Sequence, residues 1–221
     1  MKNGENATTT QPSPAELSEH WEKLLETHDK IVYIPMSRGL SGSYSVARMF
    51  AGEYDGKVQV VDNQRISVSQ ASSALQARRM ADSGVSAEEI KKHLEENAQE
   101  ASIYVTVDTL EYLKKGGRIR SAEALAGEIL NIRPVIQFAG GVLEPYCKVR
   151  GRKKAKKAME EAILKDGQDF MGKYGEEKLE VYIAHADAEK EAEEWAEKIN
   201  DLFPGKQAQI AKLPLSICCH V

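Results

Sequence analysis

The fold is decided by one stretch of the chain, K-I-V-Y-I-P-M-S-R-G-L-S-G-S-Y at residues 30–44. Its first half is short, apolar and rich in β-branched residues, as is typical of a buried strand. A loop of glycine and serine follows, and the residues after Tyr44 can continue as a helix. A strand that ends in such a loop presents backbone N–H groups and the positive end of a helix dipole. The stretch therefore predicts a binding site for an anion, either a carboxylate or a phosphate.

Strand-like and helix-like segments alternate around this stretch. The segments S-P-A-E at 13–16 and S-A-E-E at 86–89 have the spacing of helix capping boxes. Further short apolar strands are predicted at 58–62 and 103–107. Strands that alternate with longer helices indicate βαβ units in a parallel sheet. We therefore predict an α/β, Rossmann-like lobe with a parallel sheet over residues 1–112.

The pattern changes in the second half of the chain. Strand-like segments at 133–138 and 142–149 are joined through a Gly-Gly pair, which is the signal of a β-hairpin. A short helix is predicted at 122–130, and a long charged helix follows the hairpin. A second, α+β lobe with a mostly antiparallel sheet is therefore predicted over residues 113–221.

Composition narrows the classes of function. The 221 residues carry 30 lysines and arginines against 34 aspartates and glutamates, a net charge of −4, which argues against a nucleic-acid or anionic-membrane partner. No apolar run approaches the length of a membrane span, so we expect no integral membrane segment. The polar amino terminus lacks the apolar region of a secretory signal, and a cytoplasmic location is the default expectation.

Neither a metal nor a cofactor is predicted. Cys147, Cys218 and Cys219 form no disulfide framework, and no cluster of His, Cys or Asp has metal-ligand spacing. The chain contains no G-x-x-x-x-G-K-[ST] and no G-x-G-x-x-G, so nucleotide binding has no positive support.

A second hydroxyl-rich segment, T-T-T-Q-P-S at residues 8–13, precedes the first predicted helix. It is either a loop with a helix cap or a second set of hydrogen-bond donors that faces the Ser41 loop. Both segments lie beside strand–helix junctions, and ligands of open α/β sheets collect at the carboxyl ends of strands. Both interpretations stay open at this point.

The turn G-L-S-G at residues 39–42 invites comparison with the nucleophile elbow of hydrolases. That elbow requires a glycine at the next position, where this chain has Ser43. A catalytic serine also needs a histidine base, and a Ser41–His220 pair is conceivable. A Ser41-dependent hydrolase or acyltransferase therefore stands as the alternative function.

The ten residues 148–157 contain seven cations and no acid, and a smaller basic group surrounds Arg118. The larger cluster is either a solvated helix face or a docking surface for an acidic partner or a phosphorylated ligand. It has no interleaved aromatic residues on which bases could stack, which weakens a nucleic-acid role.

Several of these segments, taken in order, resemble the DegV family. The matching stretches are T-T-Q-P-S-P at 9–14, S-R-G-L-S-G-S-Y at 37–44, V-D-T-L-E-Y-L-K-K-G-G-R-I at 107–119, L-N-I-R-P at 130–134 and K-V-R at 148–150. The resemblance spans nearly the whole chain. It implies a two-lobed bacterial protein that binds a long-chain fatty acid and catalyses no reaction itself. Some members of the family present the bound acid to a fatty-acid kinase.

The resemblance also implies roles for individual residues. The carboxylate of the fatty acid would be held by Thr9, Thr10, Ser41 and His220, with Gly42 in the same loop as Ser41. Arg118 and Arg150 would lie near the ligand mouth or the partner surface.

The acyl chain needs a long apolar tunnel, because burial of each methylene contributes about 0.8 kcal/mol. Apolar candidates for that tunnel are Leu125, Ile129, Leu130, Ile132 and Ile136. The same positions also suit the core of the second lobe, and the sequence leaves these two interpretations open.

The chain departs from the family pattern in several places. Thr10 and Ser43 stand where the family usually has Ser and Thr, and both substitutions keep a hydroxyl. The family normally begins with an additional strand and an I-T-D-S-type loop, and its late histidine is normally followed by G-P-G-A. We therefore expect a first lobe without the usual amino-terminal strand and a second lobe that stops before the usual carboxy-terminal segment.

Overall fold

The computed structural model describes residues 8–119 and 132–218. Their contacts divide into two compact units. The amino-terminal unit contains Thr9–Ala101 together with the turn Gly140–Val142. The carboxy-terminal unit contains the other described residues from Ser102 onward.

The amino-terminal unit is a parallel β–α–β motif with helices around it. Its elements are α1 (Pro14–Leu25), β1 (Ile31–Tyr33), α2 (Ser43–Ala51), a 3-10 turn (Gly52–Tyr54), β2 (Val58–Val60), α3 (Ser67–Asp82) and α4 (Ala87–Glu96). β1 and β2 pair in parallel, with Val32 opposite Gln59, and α2 is the crossover between them. The carboxyl ends of both strands therefore lie at the same edge of the sheet, where the loop after β1 meets the loop after β2.

An apolar core fixes these elements. Trp21 of α1 is fully buried and packs edge-on against the rings of Tyr33 and Tyr54, at 5.4 Å between centroids in each pair. Ile90 and Leu94 of α4 form a second buried cluster, and α4 packs against both strands. Because α1 is held by this core, the segment that precedes it is also held close to the sheet.

Both predicted capping boxes are present. Ser13 Oγ accepts the N–H of Glu16 at 3.2 Å, and Glu16 Oε2 accepts the N–H of Ser13 at 2.9 Å. Ser86 and Glu89 repeat the arrangement at the start of α4. These side chains satisfy N–H groups that have no partner inside the helix. α1 therefore begins at the residue that the sequence predicts.

The carboxy-terminal unit contains two separate sheets. Its elements are β3 (Ile103–Thr106), α5 (Glu111–Lys115), β4 (Ile132–Ala139), β5 (Val142–Arg150), α6 (Arg152–Tyr174), a 3-10 turn (Glu176–Lys178), β6 (Tyr182–His185), α7 (Glu189–Leu202), β7 (Gln209–Lys212) and α8 (Leu215–Cys218). β3, β4 and β5 form one sheet in that order, and β6 and β7 form a parallel pair. The predicted hairpin is confirmed, and its turn residues Gly140 and Gly141 have positive φ, as the tightest hairpin turns require.

β3 belongs to a different sheet from the predicted one. The alternation of elements predicts a parallel strand in the sheet of β1 and β2, whereas β3 pairs antiparallel with β4, with Ile103 opposite Phe138. A short apolar run identifies a strand, but its local pattern does not select the neighbour. The contacts divide the chain after Ala101. The division into lobes at residue 112 stays a prediction.

The predicted fold class is confirmed by the parallel pairs and the separate three-stranded antiparallel sheet. The helix predicted at 122–130 lies outside the described residues. In the part of the chain that the structure describes, no helix has both the length and the apolar character of a membrane span. The same part contains no group of three or more His, Cys, Asp and Glu side chains that could hold a metal ion.

Candidate functional site

The site is built on the loop between β1 and α2. α2 begins at Ser43, and its N-cap residue, Gly42, has no side chain that could cap the helix. The first turn of α2 contains no acidic residue. The first N–H groups of a helix lack partners within the helix and form the positive end of its dipole. This loop therefore has the local geometry that suits a negatively charged group.

Ser41 and Ser43 form a pair of hydroxyls at the start of α2. Their Oγ atoms are 2.8 Å apart, and Ser41 Oγ also accepts the N–H of Ser43 at 3.2 Å. Either hydroxyl can donate the shared hydrogen, so one O–H can turn toward an incoming acceptor. Within the described residues, the bonds of the Ser41 hydroxyl are to Ser43 and not to a histidine.

The second hydroxyl-rich segment lies directly against this loop. A Cβ built on Gly42 would overlap Gln11 Oε1 and would lie 3.3 Å from Gln11 Cδ, so glycine leaves the room that the Gln11 amide occupies. Thr10 and Gln11 also line a depression of about 500 Å³ whose wall includes Leu17 and Tyr33. The structure therefore brings the segment before α1 to the start of α2.

The predicted carboxylate ligands differ in how the structure places them. Thr9 is half-buried, Thr10 is exposed, and Ser41 is half-buried in the loop before α2. Ser13 is used by the capping box of α1, so the helix-cap interpretation holds for that residue. His220 lies outside the described residues.

An ion pair flanks the loop. Arg38 Nε lies 3.0 Å from Asp62 Oδ2, with the Arg38 side chain 60% exposed and that of Asp62 13% exposed. The N–H of Asp62 donates to Glu95 Oε1 at 3.0 Å. Burial raises the pKa of Asp62, and the nearby Arg38 guanidinium opposes that rise. Asp62 thus holds Arg38 beside the loop that carries Ser41.

The structure does not bring the two predicted arginines together. Ile119 bridges to Leu143 near the start of β5, so Arg118 lies beside that end of the strand, whereas Arg150 is its last residue. At about 3.3 Å per residue, the two ends are roughly 26 Å apart. Arg118 is half-buried and its guanidinium donates to Gly116 O, and Arg150 is exposed. The two residues therefore lie at opposite ends of β5, and their place near the ligand mouth or the partner surface stays a prediction.

Ion pairs use part of the basic cluster at 148–157. Arg152 lies 3.2 Å from Asp108 and 3.3 Å from Glu191, and Lys156 lies 2.8 Å from Glu191. The hydrogen bond from Lys156 is the main cause of a lowered pKa at Glu191. These two cations connect α6 to α7 and to the residues after β3, so part of the cluster serves the packing of the unit.

Ile132 and Ile136 are the tunnel candidates among the described residues, and both lie on β4. Ile136 is fully buried in an apolar cluster with Leu113 and Ile119, which is a core position. The tunnel itself stays a prediction. The other three candidates lie outside the described residues: Leu125, Ile129 and Leu130.

Gln11 and Ser37 belong to the site but are not singled out by the sequence. A signal for Gln11 exists, because its amide lies within the hydroxyl-rich segment. Ser37 is 2% exposed, and its hydroxyl donates to Gly141 O at 2.7 Å. No local pattern indicates that bond, since its partners are 104 residues apart.

Comparison with known proteins places the chain in a family. A family model described as "Uncharacterised protein, DegV family" matches residues 1–221. The chain belongs to the DegV family. The resemblance carried by the sequence segments is thereby confirmed for the whole chain.

One curated DegV relative is considerably longer than the part that aligns. The DegV domain-containing protein of Deinococcus radiodurans is 38% identical over 148 residues, which cover 67% of this chain and 53% of that protein. The alignment therefore spans about half the length of this relative.

Two solved DegV structures are similar to this chain over most of its length. DegV from Bacillus subtilis, described as a fatty acid binding protein, has 31% identity and a TM-score of 0.82, covering 99% of this chain and 76% of that one. A DegV family protein from Thermus thermophilus, described by its fatty acid binding, has 30% identity and a TM-score of 0.81, covering 96% of this chain and 74% of that one.

Proposed function

We propose that this DegV-family chain binds a long-chain fatty acid and holds its carboxylate at the loop between β1 and α2. Two similar solved structures are described by fatty acid binding, which supports the class of ligand. The observation that carries the proposal in this chain is the close approach of Gln11 to Gly42. That approach joins a hydroxyl- and amide-bearing segment to the start of α2, where the N-cap residue is a glycine and the Ser41 hydroxyl accepts the first N–H of the helix.

The donors at this place match the needs of a carboxylate. The hydroxyls of Ser41 and Thr10 and the amide of Gln11 can each donate a hydrogen bond, as can the N–H groups of the first turn of α2. Thr9 and His220 complete the set that the family resemblance implies. Hydrogen bonds to a charged group contribute about 1.5–3 kcal/mol each, so a few of them orient the head and select for its charge.

The acyl chain has to supply much of the affinity. Micromolar binding needs about 8 kcal/mol net, and each buried methylene contributes about 0.8 kcal/mol. We therefore infer that the tail is enclosed in an apolar tunnel. The protein then acts as a carrier without a chemical step of its own, because binding and enclosure are all that this role requires.

Replacing Ser41 tests the carboxylate site. Ser41→Ala should weaken palmitate binding by about 1–3 kcal/mol, because the charged head loses a hydroxyl donor. Calorimetric titration of delipidated protein with palmitate measures the change. Ser45→Ala is the matched control, since it removes an exposed hydroxyl from the same helix and should change the affinity by no more than about 0.5 kcal/mol. Equal affinities of wild type and Ser41→Ala would contradict the proposed site.

We further propose that the protein presents its bound acid to a fatty-acid kinase through a surface that includes Arg150. Arg150 is exposed at the end of β5, and the exposed Lys153 and Lys154 follow it on α6. A cationic surface of this kind attracts an acidic partner, and salt weakens the attraction.

A phosphorylation assay tests this presentation. With a purified fatty-acid kinase and ATP, Arg150→Ala should slow phosphorylation of the bound acid and reduce the effect of salt on the rate, because removing a charge at an interface lowers the rate of association. Lys198→Ala removes an exposed cation from α7 and is the control. A rate and a salt dependence that match wild type in Arg150→Ala would exclude this surface.

A further inference from the structure

Ser37, the residue that leads from β1 into the Ser41 loop, uses every polar group that it has. Its N–H donates to Arg65 O at 2.9 Å, and its carbonyl oxygen accepts the N–H groups of Leu40 and Ser41 at 3.0 and 3.1 Å. Its hydroxyl donates to Gly141 O at 2.7 Å and accepts the N–H of Gly39 at 3.3 Å. Ser37 is 2% exposed, so these bonds are shielded from water.

Two glycines allow the backbone to approach Ser37 this closely. A Cβ on Gly39 would overlap Gly141 O and would lie 3.1 Å from the Gly141 carbonyl carbon. A Cβ on Gly141 would lie 2.7 Å from Ser37 Oγ. Gly141 also has a φ of +82°, which residues other than glycine rarely adopt. We call Ser37, Gly39 and Gly141 the Ser37 anchor. All three residues belong to the amino-terminal unit.

The Ser37 anchor acts on the loop that carries Ser41. The backbone of Ser37 binds the N–H groups of Leu40 and Ser41 and the carbonyl of Arg65 after β2. The Ser37 hydroxyl holds this turn in place, because it binds Gly141 O and the Gly39 N–H. Loops that are not tied down are mobile, and a mobile donor loses affinity because binding must order it. Ser37 is buried, and its five hydrogen bonds reach Arg65, Gly141 and the loop itself. They restrict the motion of the loop before a ligand binds.

We propose that Ser37 is a positioning residue of the carboxylate site: it does not touch the ligand, and it holds the Ser41 hydroxyl and the start of α2 in the geometry that recognises a carboxylate. This inference rests on the proposed function, because it assigns a role in that same site. It differs from a purely structural role in one measurable way. A positioning residue changes the preference for a charged head over a neutral one, whereas a structural residue changes stability alone.

The test compares palmitate with hexadecanol, which has the same chain length and a neutral head. In Ser37→Ala, the affinity for palmitate divided by the affinity for hexadecanol should be about tenfold lower than in wild type. That is the size expected when one well-placed hydrogen bond to a charge is lost. Ser73→Ala is the matched control. Ser73 is also fully buried, and its hydroxyl donates to Ser69 O and accepts from Arg65, but it lies on α3. Its substitution should leave the ratio at the wild-type value.

Amide hydrogen exchange gives a second readout that needs no ligand. Ser37→Ala keeps the backbone bonds from Leu40 and Ser41 to Ser37 O, but it removes the bond to Gly141 O and the acceptor of the Gly39 N–H. Because the turn is then no longer held against Gly141, the N–H groups of Gly39, Leu40 and Ser41 should exchange about tenfold faster relative to those of β2. If Ser37→Ala does not fold, Ser37→Cys is measured in the same two assays, since a thiol is a weaker donor. A wild-type ratio and wild-type exchange in the folded variant overturn the inference and leave the proposed function standing. Failure of the wild-type protein to bind palmitate overturns both.

Discussion

The hydroxyl of Ser41 already has a partner in Ser43, and this limits what it can do. Ser41 Oγ accepts the Ser43 N–H, so its own hydrogen is left for the Ser43 oxygen or for a ligand. A carboxylate that displaces the Ser43 oxygen exchanges a neutral hydrogen bond for a charged one, and charge-assisted bonds are roughly twice as strong. A nucleophile would instead need a general base at this oxygen. Among the described residues the Ser41 hydroxyl is bonded to Ser43 and not to a base, an arrangement that suits anion binding.

Asp62 leads to a prediction about pH. Its pKa lies above the ordinary value of 3.8 because the carboxyl group is buried. The stability contributed by the neutral form is present below pH 3.8 and is lost as the pH rises through the folded-state pKa. Asp62→Asn removes this pH-dependent loss of stability, because an amide does not ionise. The free energy of unfolding of the variant, relative to wild type, should therefore increase from acid to neutral pH, as measured by urea denaturation at a series of pH values.

Arg38→Gln is the companion variant for this experiment. The Arg38 guanidinium opposes the rise in the pKa of Asp62, so that pKa should rise further in Arg38→Gln. The free energy of unfolding of Arg38→Gln should therefore fall more steeply with increasing pH than that of wild type. A difference between Asp62→Asn and wild type that stays constant or shrinks as the pH rises would show that burial does not destabilise this carboxylate.

Single residues of the site were predictable where their signal is local. Ser41 follows from the order of strand, glycine–serine loop and helix, all within a few residues of it. Gln11 has a local signal, since it lies in the hydroxyl-rich segment, but its contact with Gly42 depends on the fold. Ser37 was not predictable, because the partner of its hydroxyl is Gly141. A buried hydroxyl whose partner lies on a distant hairpin has no periodicity or spacing that the sequence could display.

At the scale of elements, the capping box of α1 leads to a further prediction. Ser13→Ala should lower the free energy of unfolding by about 1 kcal/mol, the usual cost of losing a serine N-cap. The backbone and side-chain hydrogen bonds from Ser13 hold the pKa of Glu16 below 4.5. The associated stability is present above pH 4.5 and is lost as the pH falls through the folded-state pKa, so the effect of Ser13→Ala should be smaller in acid.

Ser18→Ala is the control on the same helix. Ser18 is half-buried within α1 and is not part of the cap, and alanine has the higher helix propensity. Denaturation of the two variants at neutral pH should show a loss for Ser13→Ala and no comparable loss for Ser18→Ala. Equal losses would mean that the capping box does not account for the stability of the start of α1.

The positions of helices and strands were more predictable than the pairing between strands. Periodicity and caps place α1, β1 and α4 because the signal of each lies within its own residues. The partner of β3 was not predictable, since its apolar run fits a parallel or an antiparallel neighbour equally well. The pairing with β4 is decided by packing on α6 and on the cluster around Ile136, which local sequence does not encode.

At the scale of the whole molecule, the two hydroxyl-rich segments matter only because the fold brings one against the other. Parallel pairing of β1 with β2 puts the Ser41 loop at the carboxyl edge of the sheet, and the Trp21 core holds α1 so that the Thr9–Gln11 segment reaches it. The proposed carboxylate site is therefore a property of the folded unit and not of either segment alone.

A crystal structure of the protein grown with palmitate tests the carboxylate site most directly. We predict that a carboxylate oxygen lies about 2.7–3.2 Å from Ser41 Oγ and that a second donor comes from the Thr9–Gln11 segment. A palmitate whose carboxylate lies elsewhere, or crystals grown at saturating palmitate that contain no fatty acid, would contradict the proposed site.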